Sequence, residues 1–292
     1  MPRSDDSAMV GAVIEWFSQE ARDLPWRHAD CSPWGVLVSE VMLQQTPVVR
    51  VEPVWREWMR RWPTPGDLAA EPQAEAVRAW GRLGYPRRAQ RLWLCAAAIV
   101  DRHDGEVPQD TEALRALPGI GEYTAAAVRT FAFGERDVVL DTNVRRVIGR
   151  AWRAEPHPAA HLTRAEREAA AGLVPEDPLE AAAWNAGAME LGALVCVARA
   201  PLCERCPLER DCAWVGTGRP GLGVSTGRTQ AWHGTDRQVR GRIMALLRSA
   251  DGPVTIAGHA ELEDVEPAQL MRCLRSLEGD GLAVASPAGH SL

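Results

Sequence analysis

A chain of 292 residues that is 46% hydrophobic and 25% charged has the make-up of a soluble protein of two compact units and a small third, with no apolar run long enough to span a membrane. Its first ten residues, MPRSDDSAMV, are polar and acidic, which excludes a secretion signal and points to the cytoplasm. A net charge of -6 excludes a uniformly cationic surface, so a nucleic-acid partner would need local arginine patches.

Apolar spacing of i, i+3, i+4 predicts helices over 9–18, 34–46 and 51–62, the second ended by Pro47 and the third by Pro63 and Pro65. Further helices are predicted over 75–80, 87–102, 111–117, 123–133, 143–152 and 179–196, and strand signals are sparse, so the body is all-α. Residues 216–234 are rich in Gly, Ser and Thr and read as a linker. Beyond it come a helix over 236–249, a short element over 254–259, a helix over 267–278 and a small β-wing over 281–286. That order fits a winged-helix-like module, and a generic helical cap also fits it. Two arginine clusters stand out, Arg82, Arg87, Arg88 and Arg91, then Arg145, Arg146 and Arg150; each is either a phosphate contact or a solvated helix face.

Cys196, Cys203, Cys206 and Cys212 form C-x6-C-x2-C-x5-C within 17 residues. In a reducing compartment cysteines this close serve as metal ligands rather than disulfides. Thiolates suit zinc and iron–sulfur clusters alike, although a lone C-x2-C pair departs from the usual zinc spacing. Cys31, Cys95 and Cys273 have no such neighbours and read as small buried hydrophobes.

At 117–128 the sequence LPGIGEYTAAAV stops one helix, turns at Gly119, Ile120 and Gly121, and restarts an alanine-rich helix. Glycines expose backbone N–H groups and the new helix adds its positive end, so the turn can hold a phosphate oxygen or can simply join two helices. Asp141 follows about 20 residues later, placed either for chemistry or as an N-cap of the next helix. A glycosidic bond is broken by two carboxylates, one protonating the leaving group and one steadying the cationic sugar. Asp141 suits the second task. Glu40, within an apolar helix that would raise its pKa, suits the first.

LPWR at 24–27, SEVMLQQT at 39–46, LGY at 83–85, LPGIGEYTA at 117–125 and LDTNV at 140–144, together with the cysteine spacing, resemble the adenine-removing helix-hairpin-helix DNA glycosylases of base excision repair. The resemblance runs to about Cys212. It implies a two-lobed helix-hairpin-helix DNA glycosylase fold with a [4Fe–4S] cluster loop on the four cysteines, followed by the small winged-helix-like module. The expected parts are a six-helix domain at 29–134, a cluster domain of 1–28 with 135–216, a linker at 217–233 and the module at 234–292. By the same resemblance Glu40 protonates adenine and Asp141 stabilises the sugar, with Tyr123 and Asn143 in support. Arg22, Leu24, Trp26 and Arg27 line the base pocket. Gln44, Gln45, Thr46, Leu83 and Tyr85 face the stack and the lesion-bearing strand, and Gly119, Ile120 and Gly121 hold backbone phosphate with a monovalent cation.

The implied partner is double-stranded DNA with a mispaired or oxidised base, bound by a monomer at the nucleoid, with no membrane involved. All 33 basic residues are arginine, so a lysine Schiff base is excluded and the expected enzyme is a monofunctional hydrolase that leaves an abasic site. The alternatives are a mismatch thymine glycosylase of the same superfamily and a DNA-binding homologue without activity. Two departures from the family are visible: LGYP stands where the family has LGYY, and the 80 residues after Cys212 lack the strand pattern of the family's 8-oxoguanine-reading domain.

Overall fold

The computed structural model describes residues 4–222 and 233–292, so most of the linker expected at 217–233 lies outside the described residues. The elements in order are α1 (Ser4–Glu20), α2 (Pro33–Leu43), α3 (Val48–Arg61), α4 (Pro65–Ala69), α5 (Gln73–Ala79), α6 (Arg87–His103), α7 (Thr111–Arg115), α8 (Glu122–Phe133), α9 (Thr142–Arg153), α10 (Arg164–Leu173), α11 (Pro178–Leu194) and α12 (Ala213–Gly216). Then come α13 (Asp236–Ser249), α14 (Pro267–Gly279), and the strands β1 (Val284–Ser286) and β2 (Gly289–Ser291). The two strands form an antiparallel hairpin, and Val254 bridges to His290 beside it. Among the described residues no helix is long and apolar enough to cross a membrane.

The predicted helices are present, with three differences that have local causes. The helix expected over 34–46 stops at Leu43, because Gln45 takes a left-handed φ of 55° and Thr46 turns back to the Leu43 carbonyl. Pro47 then caps α3 instead of ending α2. Three helices were not predicted, α4, α10 and the single-turn α12, and the first two begin with a capping box, Thr64 with Asp67 and Thr163 with Glu166.

The chain forms two compact units. The first comprises Met1–Glu40, Pro108–Ala116 and Ile120–Thr226. In it α11 is the central element, packed by α1, α8 and α9, while α10 and α12 lie against α9. Its core gathers Val13, Val144, Ile148, Trp184 and Leu191, with Trp152 edge-on to Trp184. The second unit comprises Val41–Val107, Leu117–Gly119 and Gly227–Leu292. Here α4 and α5 pack on α6, α13 packs on α14 and α5, and Trp58, Trp62 and Trp80 meet edge to face at centroid separations of 5.0 and 5.5 Å. Residues after the linker are therefore part of the second unit's body, anchored where Arg78 donates to the carbonyls of Arg248 and Ala250 at 2.7 and 3.0 Å.

Candidate active site

Residues 34–42 of α2 are buried on every side, and Glu40 is the one carboxylate among them, 5% exposed. Burial pushes its pKa up to about 7; the Tyr123 hydroxyl and Arg27 pull it down, and the negative charge of Asp141 adds to the rise. Tyr123, in the first turn of α8, donates its hydroxyl to Glu40 Oε2 at 3.0 Å. Burial and both carboxylates hold that phenol well above its ordinary value, so it stays a donor.

Asp141 is the N-cap of α9, with Oδ1 accepting from Val144 N at 2.7 Å and Oδ2 from Asn143 Nδ2 at 2.9 Å. Burial raises its pKa, and these hydrogen bonds and Arg146 oppose the rise. Thus the N-cap and chemical readings of Asp141 are compatible: one oxygen seats the helix, and Asn143 orients the other. Asn143 Oδ1 in turn accepts from Arg146 Nη2 at 2.8 Å, and Arg146 Nε donates to the Cys196 carbonyl at 2.7 Å. The contact works because position 192 is glycine: a Cβ there would lie 2.7 Å from Asn143 Cβ.

The pocket residues expected at 22–27 gather on a partner that was not predicted. Glu190 of α11, 1% exposed, receives Arg22 Nε and Nη2 at 2.7 and 2.8 Å and Arg27 Nη2 at 2.8 Å. Burial would raise Glu190, but the two guanidiniums outweigh it and hold the carboxylate at about 2. Leu24 and Trp26 are buried beside this clamp in sequence, 4% and 7% exposed.

In the second unit Gln44, Gln45, Thr46, Leu83 and Tyr85 come together through Arg88. Its Nη1 donates to the carbonyls of Val41, Met42 and Gln44 at 3.0, 3.0 and 2.5 Å, and its Nη2 to Thr46 Oγ1 and the Gly84 carbonyl at 2.9 and 3.1 Å. Thr46 Oγ1 also reaches the Leu83 carbonyl at 3.4 Å. Gln45 and Tyr85 sit at the tips of the two turns, both exposed and both at positive φ, 55° and 48°.

Both arginine clusters therefore need correction. Arg88 is buried and spent on carbonyls, and Arg87 pairs with Asp280 at 2.7 Å, which leaves Arg82 and Arg91 exposed. Arg145 pairs with Glu166 at 2.8 Å, Arg146 holds Asn143 and Cys196, and Arg150 is 1% exposed. The second cluster is internal scaffolding, because i, i+1 and i+5 arginines on α9 all find carbonyls or a carboxylate within reach.

At the hairpin Gly119 has φ 84°, and a Cβ there would lie 2.9 Å from Arg91 Cβ, so glycine is required. Ile120 is buried, and Gly121 caps α8 with no side-chain oxygen on the first N–H groups. The four cysteines line one pocket with Arg150 and Trp214. Burial pushes the Cys206 thiol up to about 12, and the neighbouring thiolates add to it, so as thiolates they need a cationic group among them.

Residues 38–171 match the HhH-GPD superfamily of base excision DNA repair proteins. The adenine DNA glycosylase of Mycolicibacterium smegmatis is 48% identical over 283 residues, 95% of this chain and 93% of that protein. That of Mycobacterium tuberculosis is 46% identical over 281 residues, 95% and 91% of the two. A solved thermostable thymine-DNA glycosylase superposes with a TM-score of 0.65 at 28% identity, covering 73% of this chain and 97% of its own. Near-full-length identity to the first two, on a helical HhH-GPD fold, places the chain: it belongs to the adenine DNA glycosylases of the HhH-GPD superfamily.

Proposed function

We propose that this protein removes adenine mispaired with 8-oxoguanine or guanine from duplex DNA, hydrolysing the N-glycosidic bond and leaving an intact abasic site. The observation that carries the reading is the buried carboxylate pair: Glu40, bonded by the Tyr123 hydroxyl and protonated up to about neutrality, feels the charge of the capped Asp141. Glu40 passes its proton to a ring nitrogen of adenine, and the bond to the sugar breaks with its electron pair leaving on the base. Asp141, fixed by Val144 N–H and Asn143, faces the cationic sugar and stabilises it by charge or by transient attachment. Water then adds at the sugar carbon and returns a proton to Glu40. Tyr123 occupies the first turn after the hairpin, and with no lysine in the chain no Schiff base forms there.

The base, once turned out of the stack, is received by the segment carrying Arg22, Leu24, Trp26 and Arg27, with Glu190 fixing the two guanidiniums. Gln45 and Tyr85 press on the strand bearing the opposing purine, and the Gly119–Ile120–Gly121 turn, with a monovalent cation on its carbonyls, holds backbone phosphate. Cys196, Cys203, Cys206 and Cys212 would hold a [4Fe–4S] cluster, a reading supported by the one pocket that all four line. When bound it supplies a covalent staple for the loop that Arg146 and Arg150 grip. The order α13, bridge at Val254, α14, hairpin supports a winged-helix-like reading of the C-terminal part.

The thymine-glycosylase reading has the fold behind it but no use for a buried proton donor aimed at a purine. Single-turnover release from duplexes with A opposite 8-oxoguanine, A opposite G and T opposite G decides between them. Adenine release supports the proposal; thymine release, or none from protein with its cluster intact, overturns it.

A further inference from the structure

Tyr85 is set up as an exposed wedge: 49% exposed, in a left-handed backbone conformation at the tip of the turn before α6. Two guanidiniums lie over its ring, Arg88 at 5.6 Å and Arg237 at 5.5 Å from the centroid. Arg88 is immobilised by five hydrogen-bond acceptors in the same two turns. Arg237 comes from elsewhere, the first turn of α13 beyond the linker.

The strip that begins at Tyr85 is also where the C-terminal segment is fastened. Arg87 pairs with Asp280 at 2.7 Å, Gln90 Nε2 donates to the Gly281 carbonyl at 2.5 Å, and Asp280 also holds Arg240 at 2.6 Å. Thr235 caps α13 and Asp236 is held by Gln269 and Arg272, so the turn carrying Arg237 is fixed at both ends. Tyr85, Arg87 and Gln90 thus all face the C-terminal segment, and the first of them is the wedge.

We infer that Arg237 is a positioning residue for the opposing purine: the C-terminal segment delivers it to Tyr85, where it fixes the ring angle and adds a cation beside the lesion-bearing strand. This segment then takes part in lesion discrimination. The inference rests on the reading of Tyr85 as facing that strand. Its ligand is an 8-oxoguanine in the opposing strand, whose O8 is an acceptor that guanine lacks and that a guanidinium can address.

The test measures binding of the full chain to duplexes carrying a non-cleavable adenine analogue opposite 8-oxoguanine or G. The variants are Arg237→Ala, Arg237→Lys, Tyr85→Ala and the double substitution. Loss of a cation–π partner and a nearby cation lowers the preference for 8-oxoguanine over G by about five- to tenfold in Arg237→Ala, with partial rescue in Arg237→Lys. The melting temperature of Arg237→Ala stays unchanged. In the Tyr85→Ala background Arg237→Ala has no further effect. An unchanged preference in Arg237→Ala overturns the inference, as does an equal loss with and without Tyr85, or an equal loss on both duplexes. If Tyr85→Ala itself leaves the preference intact, it is the reading of Tyr85 that fails.

Discussion

Glu40 and Asp141 differ because their surroundings differ. Glu40 lies in an apolar helix where the Tyr123 hydroxyl and the charge of Arg27 do not offset burial, so its proton is kept to about pH 7. Asp141 is given three donors and an arginine, which oppose the same burial. Base release therefore falls as pH rises through about 7, and Glu40→Gln slows it by about 10²- to 10⁴-fold while leaving duplex binding intact, measurable by single-turnover kinetics. Tyr123 stabilises the ionised form of Glu40, so Tyr123→Phe moves the falling limb to higher pH. A raised carboxyl pKa in the fold also makes stability pH-dependent: Glu40's contribution is complete below its ordinary value and is lost as pH rises through about 7. Denaturation of wild type against Glu40→Gln on either side of neutrality reads that difference. Both carboxylates were legible in the sequence, one from its apolar helix and one from its spacing to the hairpin. Glu190 was not: its partners lie 163 and 168 residues away, and an acid in AMELG looks like any other until the arginines arrive.

At the scale of elements, the site depends on how α9 meets α11 and on how two turns meet at α6. Arg146 ties Asn143 to the backbone at Gly192 and Cys196, so the orientation of Asp141 is coupled to the cysteine loop through one side chain. Arg146→Ala strands buried carbonyls and costs about 2–3 kcal/mol in denaturant unfolding, with a fall in base release beyond what the remaining folded fraction explains. Gly192→Ala overpacks the same joint at Asn143, costing about 1–3 kcal/mol, and slows release for the same reason. Helix positions were readable because apolar periodicity is local, and α13 matches its predicted span residue for residue. The end of α2 was not readable, since Leu43 to Thr46 keeps helical propensity and only Arg88, 42 to 47 residues on, draws its carbonyls into a turn. The capping boxes of α4 and α10 were present in the sequence but preceded weak apolar patterns.

For the whole molecule, charge was a misleading guide and its distribution a better one. A chain of net charge -6 uses most of the arginines in its apparent basic patches to hold carbonyls and carboxylates inside its units. What fits the chain to DNA repair is the company kept by a few buried groups. The absence of lysine extends to the product: the strand stays unbroken after base release until heat or alkali is applied, and scission by nuclease-free protein would contradict the hydrolytic scheme. The central claim is that Glu40 supplies the proton that frees adenine. It is tested most directly by the pH dependence of single-turnover adenine release from the duplex with A opposite 8-oxoguanine, for wild type and Glu40→Gln, with the released base identified. The expected result is a wild-type rate that falls through about pH 7 and a variant whose residual rate has lost that limb. A variant that releases adenine at the wild-type rate, or with the same limb, would contradict it.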